Sequence, residues 1–257
     1  MWAKVTRLWR VLATGISFSL FGLGGLCLPI VLIPIIYLLP GNRLDRERRA
    51  KLAIHYTFRC FVEIMRGLGV LTYSVDNPRQ FNRSGQLILA NHPSLIDVVF
   101  LIAFIKRADC VVKSSITRNP FMRGTVCHIA GYIANDDPES VMEQAAASIA
   151  RGNSLIIFPE GTRTTPGQPL TMQRGAANIA LRAGVPITPV VITCEPTTLT
   201  KDQPWYRVPS RRIHFTMRIN SMIPIAEYTR EARFSVAARR LTLFLQNYFS
   251  RELMLHE

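Results

Sequence analysis

The chain has 257 residues with 48% hydrophobic character, and its 31 Lys+Arg outweigh 17 Asp+Glu to give a net charge of +14. That length gives room for one sizeable core, and the excess of Arg points to an anionic partner, either a bilayer surface or a phosphorylated substrate. The Arg are scattered and no nucleic-acid motif is present, which excludes a nucleic-acid binder, and five widely spaced cysteines without a C-x-x-C exclude a disulfide framework or zinc knuckle.

The first forty residues set the chain apart from a soluble domain. Val11 to Leu39 carry no charge, with Lys4, Arg7 and Arg10 before them and Arg43, Arg46, Arg48, Arg49 and Lys51 after. The run exceeds the roughly 20 residues that cross a bilayer, and it is too long for a signal peptide. Basic flanks favour the cytoplasmic side, and both flanks here are basic. Pro29 and Pro34 lie inside the run, after Gly22, Gly24 and Gly25. Proline removes a helix donor, so the run is expected to break into two shorter helices. The expectation is a membrane-embedded helical hairpin with both ends on the cytoplasmic side, at a cell inner membrane rich in anionic lipid. From Leu44 to about Leu68 an amphipathic helix with Arg on its polar face should follow.

After Gly69 short apolar runs alternate with helical stretches. Strands are predicted at Leu71–Val75, Gln86–Ala90, Cys110–Lys113, Gly131–Ala134, Ser154–Phe158, Ile187–Thr193 and Arg212–Ile219. Helices are predicted at Leu95–Ile105, Pro120–Ile129, Glu139–Arg151, Arg174–Ala183 and Thr229–Leu253. This alternation predicts an α/β fold, a mostly parallel mixed sheet flanked by helices, with sites at the carboxyl ends of its strands. The division is residues 1–68 as anchor and amphipathic helix, and 69–257 as the α/β domain. Pro196–Pro209 reads as a surface loop between the last two strands.

There is no G-x-S-x-G, no G-x-x-x-x-G-K, no H-E-x-x-H and no G-x-G-x-x-G after a strand. These absences remove the hydrolase elbow, the P-loop, the zincin site and the dinucleotide fingerprint. Two strand ends carry the chemistry that remains. The first reads Asn91-His92-Pro93-Ser94-Leu95-Ile96-Asp97. A histidine at a strand end can meet an aspartate five residues on, which fixes its tautomer and leaves the other nitrogen as a base. The bland alternative is a turn cap and a helix-favouring acid. The second reads Phe158-Pro159-Glu160-Gly161-Thr162-Arg163. Gly161 allows close approach of backbone, and Arg163 can grip a phosphate with two donors; a surface ion pair is the alternative.

Together these segments resemble the glycerophospholipid acyltransferase family, typified by enzymes that acylate lysophosphatidic acid. Val185-Pro186-Ile187-Thr188-Pro189-Val190 and Gln173-Arg174-Gly175-Ala176 are similar to two further family blocks. The resemblance implies His92 as general base and Asp97 as the residue that orients it. It implies Glu160, Gly161, Thr162 and Arg163 around the acceptor, with Arg174 and Lys113 as further phosphate contacts. It implies acyl-CoA or acyl-carrier protein as thioester co-substrate, a lysophospholipid as acceptor, and no cofactor or metal. One block departs from the family: Tyr132-Ile133-Ala134-Asn135 lacks the Asp-Arg pair many members carry there. That departure leaves open a different lipid acceptor, such as a lyso-aminolipid. A hydrolase using water and a non-catalytic lipid-binding protein on the same fold are the other readings.

Overall fold

The computed structural model describes residues 2–112, 131–135, 137–165, 167–230 and 233–255. Helix α1 (Trp2–Leu38) runs without interruption through the apolar segment. Among the described residues it is the one helix long and apolar enough to cross a membrane, with mean hydropathy 2.3 over Val5–Leu38. The break expected at Pro29 and Pro34 is absent. Leu32, Ile33 and Ile36 pack with Ala50 of the next helix, and such packing overrides the local cost of proline. The apolar run therefore forms one long helix rather than the expected hairpin of two short ones, and the chain turns only at residues 39–42. There Asn42 and Asp45 form a reciprocal capping box, each side chain accepting from the other's backbone N–H at 3.0 Å, and α2 (Arg43–Gly67) begins.

The sheet holds seven strands in the order β1-β7-β6-β2-β5-β3-β4. They are β1 (Leu71–Asp76), β2 (Leu87–Ala90), β3 (Ala108–Val112), β4 (Ile133–Ala134), β5 (Ser154–Ile157), β6 (Ile187–Glu195) and β7 (Ile213–Ile219). All neighbouring pairs are parallel except β6 with β7. The mixed, mostly parallel sheet expected from the alternation is thus the observed one. Between strands lie α3 (Asp97–Phe104), α4 (Pro138–Ala150) and α5 (Gly175–Ala183); α6 (Ala226–Thr229) and α7 (Phe234–Met254) close the described chain. The predicted helix Pro120–Ile129 and Lys113 lie outside the described residues.

The strand β2 shows why the sheet is central. Its four residues are all buried, Ile88 and Ala90 toward one core and Leu87 and Leu89 toward the other. A strand apolar on both faces must be covered on both. The first core receives α2 and α3, with Phe100 stacked on Phe215 at 4.1 Å. The second receives α4, α5 and α7. At β1 and β7 only one face is apolar: Ile213, Phe215, Met217 and Ile219 face the first core, while His214 is exposed and bonds Thr72 and Ser74.

Lys51 is not a flanking surface cation. It is 1% exposed and pairs with Glu47 at 2.5 Å and with Asp109 of β3 at 2.6 Å. Asp109, itself wholly buried, also accepts from Ser148 and from Asn153 Nδ2. This cluster fastens α2 to the sheet and to the end of α4. Among the cysteines, Cys110 and Cys194 are buried and Cys27 and Cys60 exposed, all four as free thiols.

Candidate active site

The site grows out of the carboxyl ends of two adjacent parallel strands, β2 and β5. Beyond Ala90 the chain must leave the sheet, and Asn91 manages the exit. Its side chain donates to the Ile192 carbonyl at 2.8 Å and accepts from the Ile192 N–H at 2.7 Å. The amide thereby replaces one rung of backbone pairing to β6. The next residue's backbone is freed, and the His92 N–H donates to Glu160 Oε1 at 2.8 Å.

His92 Nδ1 lies 2.7 Å from Asp97 Oδ2, which also accepts the Ser94 N–H at 2.8 Å. Asp97 opens α3 and is wholly buried, whereas the His92 side chain is 18% exposed. Phe158 stacks on the imidazole at 4.2 Å. A carboxylate so placed holds the proton on Nδ1 and leaves Nε2 as the basic nitrogen. Nε2 has no protein partner among the described residues. Burial pushes the Asp97 carboxyl up to about 6, an effect opposed by its bond to His92. Burial likewise raises the Glu160 carboxyl, against the His92 N–H and the Thr164 hydroxyl that donate to it.

The two segments interlock. Thr164 N–H donates to the His92 carbonyl at 2.7 Å, and its hydroxyl donates to Glu160 at 3.0 Å. The positive φ of Gly161, 70°, turns the chain sharply between Glu160 and these contacts. Glu160 therefore faces His92 rather than open solvent. Gly161 and Thr162 are exposed beside it.

Arg163 is engaged by backbone. One guanidinium nitrogen donates to the carbonyls of Leu199 at 2.9 Å and Thr200 at 2.8 Å, in the long β6–β7 loop. Arg174 caps α5 at an open cleft of about 570 Å³ shared with Asn135 and Gln173, whose lining includes neither His92 nor Glu160. The structure thus brings His92, Asp97 and Glu160 together, ties Arg163 to the Leu199 and Thr200 carbonyls, and sets Arg174 in a separate cleft. Sequence reasoning gave no role to Asn91 and missed Thr164 and the Leu199 carbonyl. Thr164 stands four residues after Glu160, a spacing that could have found it; nothing in the sequence marks Leu199. Beside the dyad, Leu95, Ile96 and Val99 line an apolar cavity of about 240 Å³ that α1 closes with Ser17 and Phe21. Among the described residues no group of His, Cys, Asp and Glu is arranged to hold a metal ion.

A strand end carrying an imidazole oriented by a buried carboxylate is an arrangement that can serve as a general base. Residues 72–193 match the family model described as Acyltransferase. Curated relatives named 1-acyl-sn-glycerol-3-phosphate acyltransferase include those of Cocos nucifera, 32% identical over 48% of this chain and 44% of the relative, and Saccharomyces cerevisiae, 30% identical over 62% and 54%. The Pseudomonas aeruginosa protein of that name is 27% identical over 55% of this chain and 57% of its own. The chain spans about half the length of these curated relatives. The crystal structure of PlsC from Thermotoga maritima, a 1-acyl-sn-glycerophosphate (LPA) acyltransferase, shares the fold at TM-score 0.68 and 16% identity, over 95% of this chain and 98% of that one. Through residues 72–193 of its α/β domain the chain is similar to the acyltransferase family.

Proposed function

We propose that the protein is a membrane-bound O-acyltransferase that moves a fatty acyl group from a thioester, acyl-CoA or acyl-carrier protein, to the hydroxyl of lysophosphatidic acid. Residues 1–68 form the anchor and 69–257 the catalytic domain, on the cytoplasmic side of an anionic inner membrane. The observation that carries this reading is the 2.7 Å His92–Asp97 pair, whose intervening residues Leu95 and Ile96 line an apolar cavity.

Nε2 takes the proton of the acceptor hydroxyl as its oxygen attacks the thioester carbonyl carbon. Asp97 stabilises the imidazolium that forms. When the tetrahedral intermediate collapses, the C–S bond breaks and the thiolate leaves with the proton returned from Nε2. The acyl group passes directly to the acceptor, with no acyl-enzyme. Glu160 supports this step by holding the His92 backbone, which fixes where the imidazole stands.

A second reading concerns the acceptor. Arg163 is engaged by two carbonyls and Tyr132–Asn135 carries no charge, so the phosphate contacts expected of the family are reduced. These observations favour a lipid hydroxyl with a different headgroup, such as a lyso-aminolipid. Purified protein in detergent, given labelled acyl-CoA or acyl-carrier protein and either acceptor, tests both readings. Transfer to lysophosphatidic acid that disappears in His92→Ala supports the first. Transfer only to the other acceptor selects the second, and transfer retained by His92→Ala removes the mechanism.

A further inference from the structure

The loop joining β6 to β7 is more than a surface connection. Thr198, Leu199 and Val208 are buried, yet Trp205 is 45% and Tyr206 61% exposed. Two large aromatics at a loop tip are costly to leave in water unless something covers them. Trp205 stands against α1: it lies 5.8 Å from Phe18 by ring centroids and packs over Gly15, and Tyr206 meets the indole edge-on. Arg10 of α1 donates to the Ser210 carbonyl at the loop's far end. The loop is also basic: Lys201, Arg207, Arg211 and Arg212 face one carboxylate, Asp202. Lys201 and Arg207 line a polar hollow of about 320 Å³ with Thr197 and Gln203.

At its other side the loop holds the catalytic segments. The Leu199 carbonyl accepts from Leu95 N–H at 3.1 Å, inside the His92–Asp97 turn, and from Arg163 beyond Glu160. Leu199 adopts φ 52°, a left-handed conformation that a leucine holds only when its surroundings fix it.

We propose that residues 196–212 form a second membrane-seating element. Trp205 and Tyr206 lie in the headgroup layer of an anionic phospholipid bilayer beside α1, and the Leu199 carbonyl passes that seating to both catalytic segments. The inference rests on the membrane reading above and adds to it a contact outside the anchor. Amphipathic aromatics with neighbouring cations are the side chains that settle at a bilayer interface, and the loop continues the exposed apolar surface of α1.

The test uses the full chain with Trp2→Phe and Trp9→Phe, in which Trp205 is the one tryptophan. In vesicles of phosphatidylglycerol and phosphatidylcholine, lipids brominated near the headgroup should cut its emission about two-fold, and those brominated near the chain ends less. A companion protein with Trp205→Phe as well and with Leu23→Trp reports on α1 alone. Quenching in the companion without quenching of Trp205 overturns the loop proposal and leaves the anchor standing. Quenching in neither overturns both. Transmission is read by hydrogen exchange at the Leu95 amide. Binding of anionic vesicles should slow it several-fold relative to neutral detergent, and Lys201→Gln with Tyr206→Ser should remove that slowing. Equal exchange in vesicles and detergent would overturn the link between loop and site.

Discussion

Asp97 at the start of α3 and Asp109 on β3 are both wholly buried and both raised by burial, yet they are finished differently. Asp109 is closed on every side. Its cation, Lys51, is 1% exposed, and Ser148 and Asn153 bond it as well. Asp97 meets an imidazole that is 18% exposed and has one nitrogen open among the described residues. A buried acid becomes structural when all of its partners are enclosed with it. It can become chemical when the partner it orients is still exposed.

The comparison breaks most sharply at the imidazole. His92→Ala should lower acyl transfer about a thousand-fold or more while the melting temperature moves by only about 2 °C, measured with labelled thioester and by thermal unfolding in detergent. Its counterpart is Lys51→Met, which leaves the Asp109 charge buried and alone. Denaturant unfolding at pH 8 should show a loss of about 3–5 kcal/mol. Because the Asp109 carboxyl is already raised, it takes up a proton more readily in the folded state, so the loss should shrink toward pH 5. Adding Asp109→Asn to Lys51→Met should recover much of it; a double variant as weak as the single would separate the two aspartates less cleanly than proposed.

Asp97→Asn should lower the rate about a hundred-fold without loss of stability at pH 8. The sign follows from the shift. The folded carboxyl titrates at about 6 against a reference of 3.8, so its contribution to stability is full below the reference value and is lost as pH rises through about 6. Ionised, it is a cost to folding that serves the imidazole. The rate should therefore fall as pH drops through about 6, and that acid limb should move in Asp97→Asn. The smallest effect is expected at Glu160. Glu160→Gln keeps an acceptor for the His92 N–H and should cost about three-fold in kcat, whereas Glu160→Ala should cost about thirty-fold, with KM for the acceptor little changed in either. A rise in KM instead would assign Glu160 to the acceptor.

Much of this frame is legible in the sequence because it is locally encoded. The apolar runs Leu87–Ala90 of β2 and Leu155–Ile157 of β5 admit few positions other than the centre of a covered sheet, and a histidine five residues before an aspartate across a strand end has a short reach to close. What escaped is encoded at a distance. Lys51 looks like one more cation after the apolar run, and only the packing of α2 on β3 reveals its burial. Pro29 and Pro34 announce a break that contact with α2 suppresses. Arg163 has the chemistry of a phosphate ligand, and its carbonyl partners lie in a loop whose path depends on α1.

The side chain of Asn91 carries one further consequence, for the order in which the molecule comes into being. His92 and Asp97 leave the ribosome early and close together, but the clamp on the His92 backbone waits for Glu160 and the false rung at Asn91 waits for Ile192, 101 residues along the chain. The frame of the site is therefore completed late in synthesis, and the proposed chemistry reaches its full rate only once the sixth strand has docked.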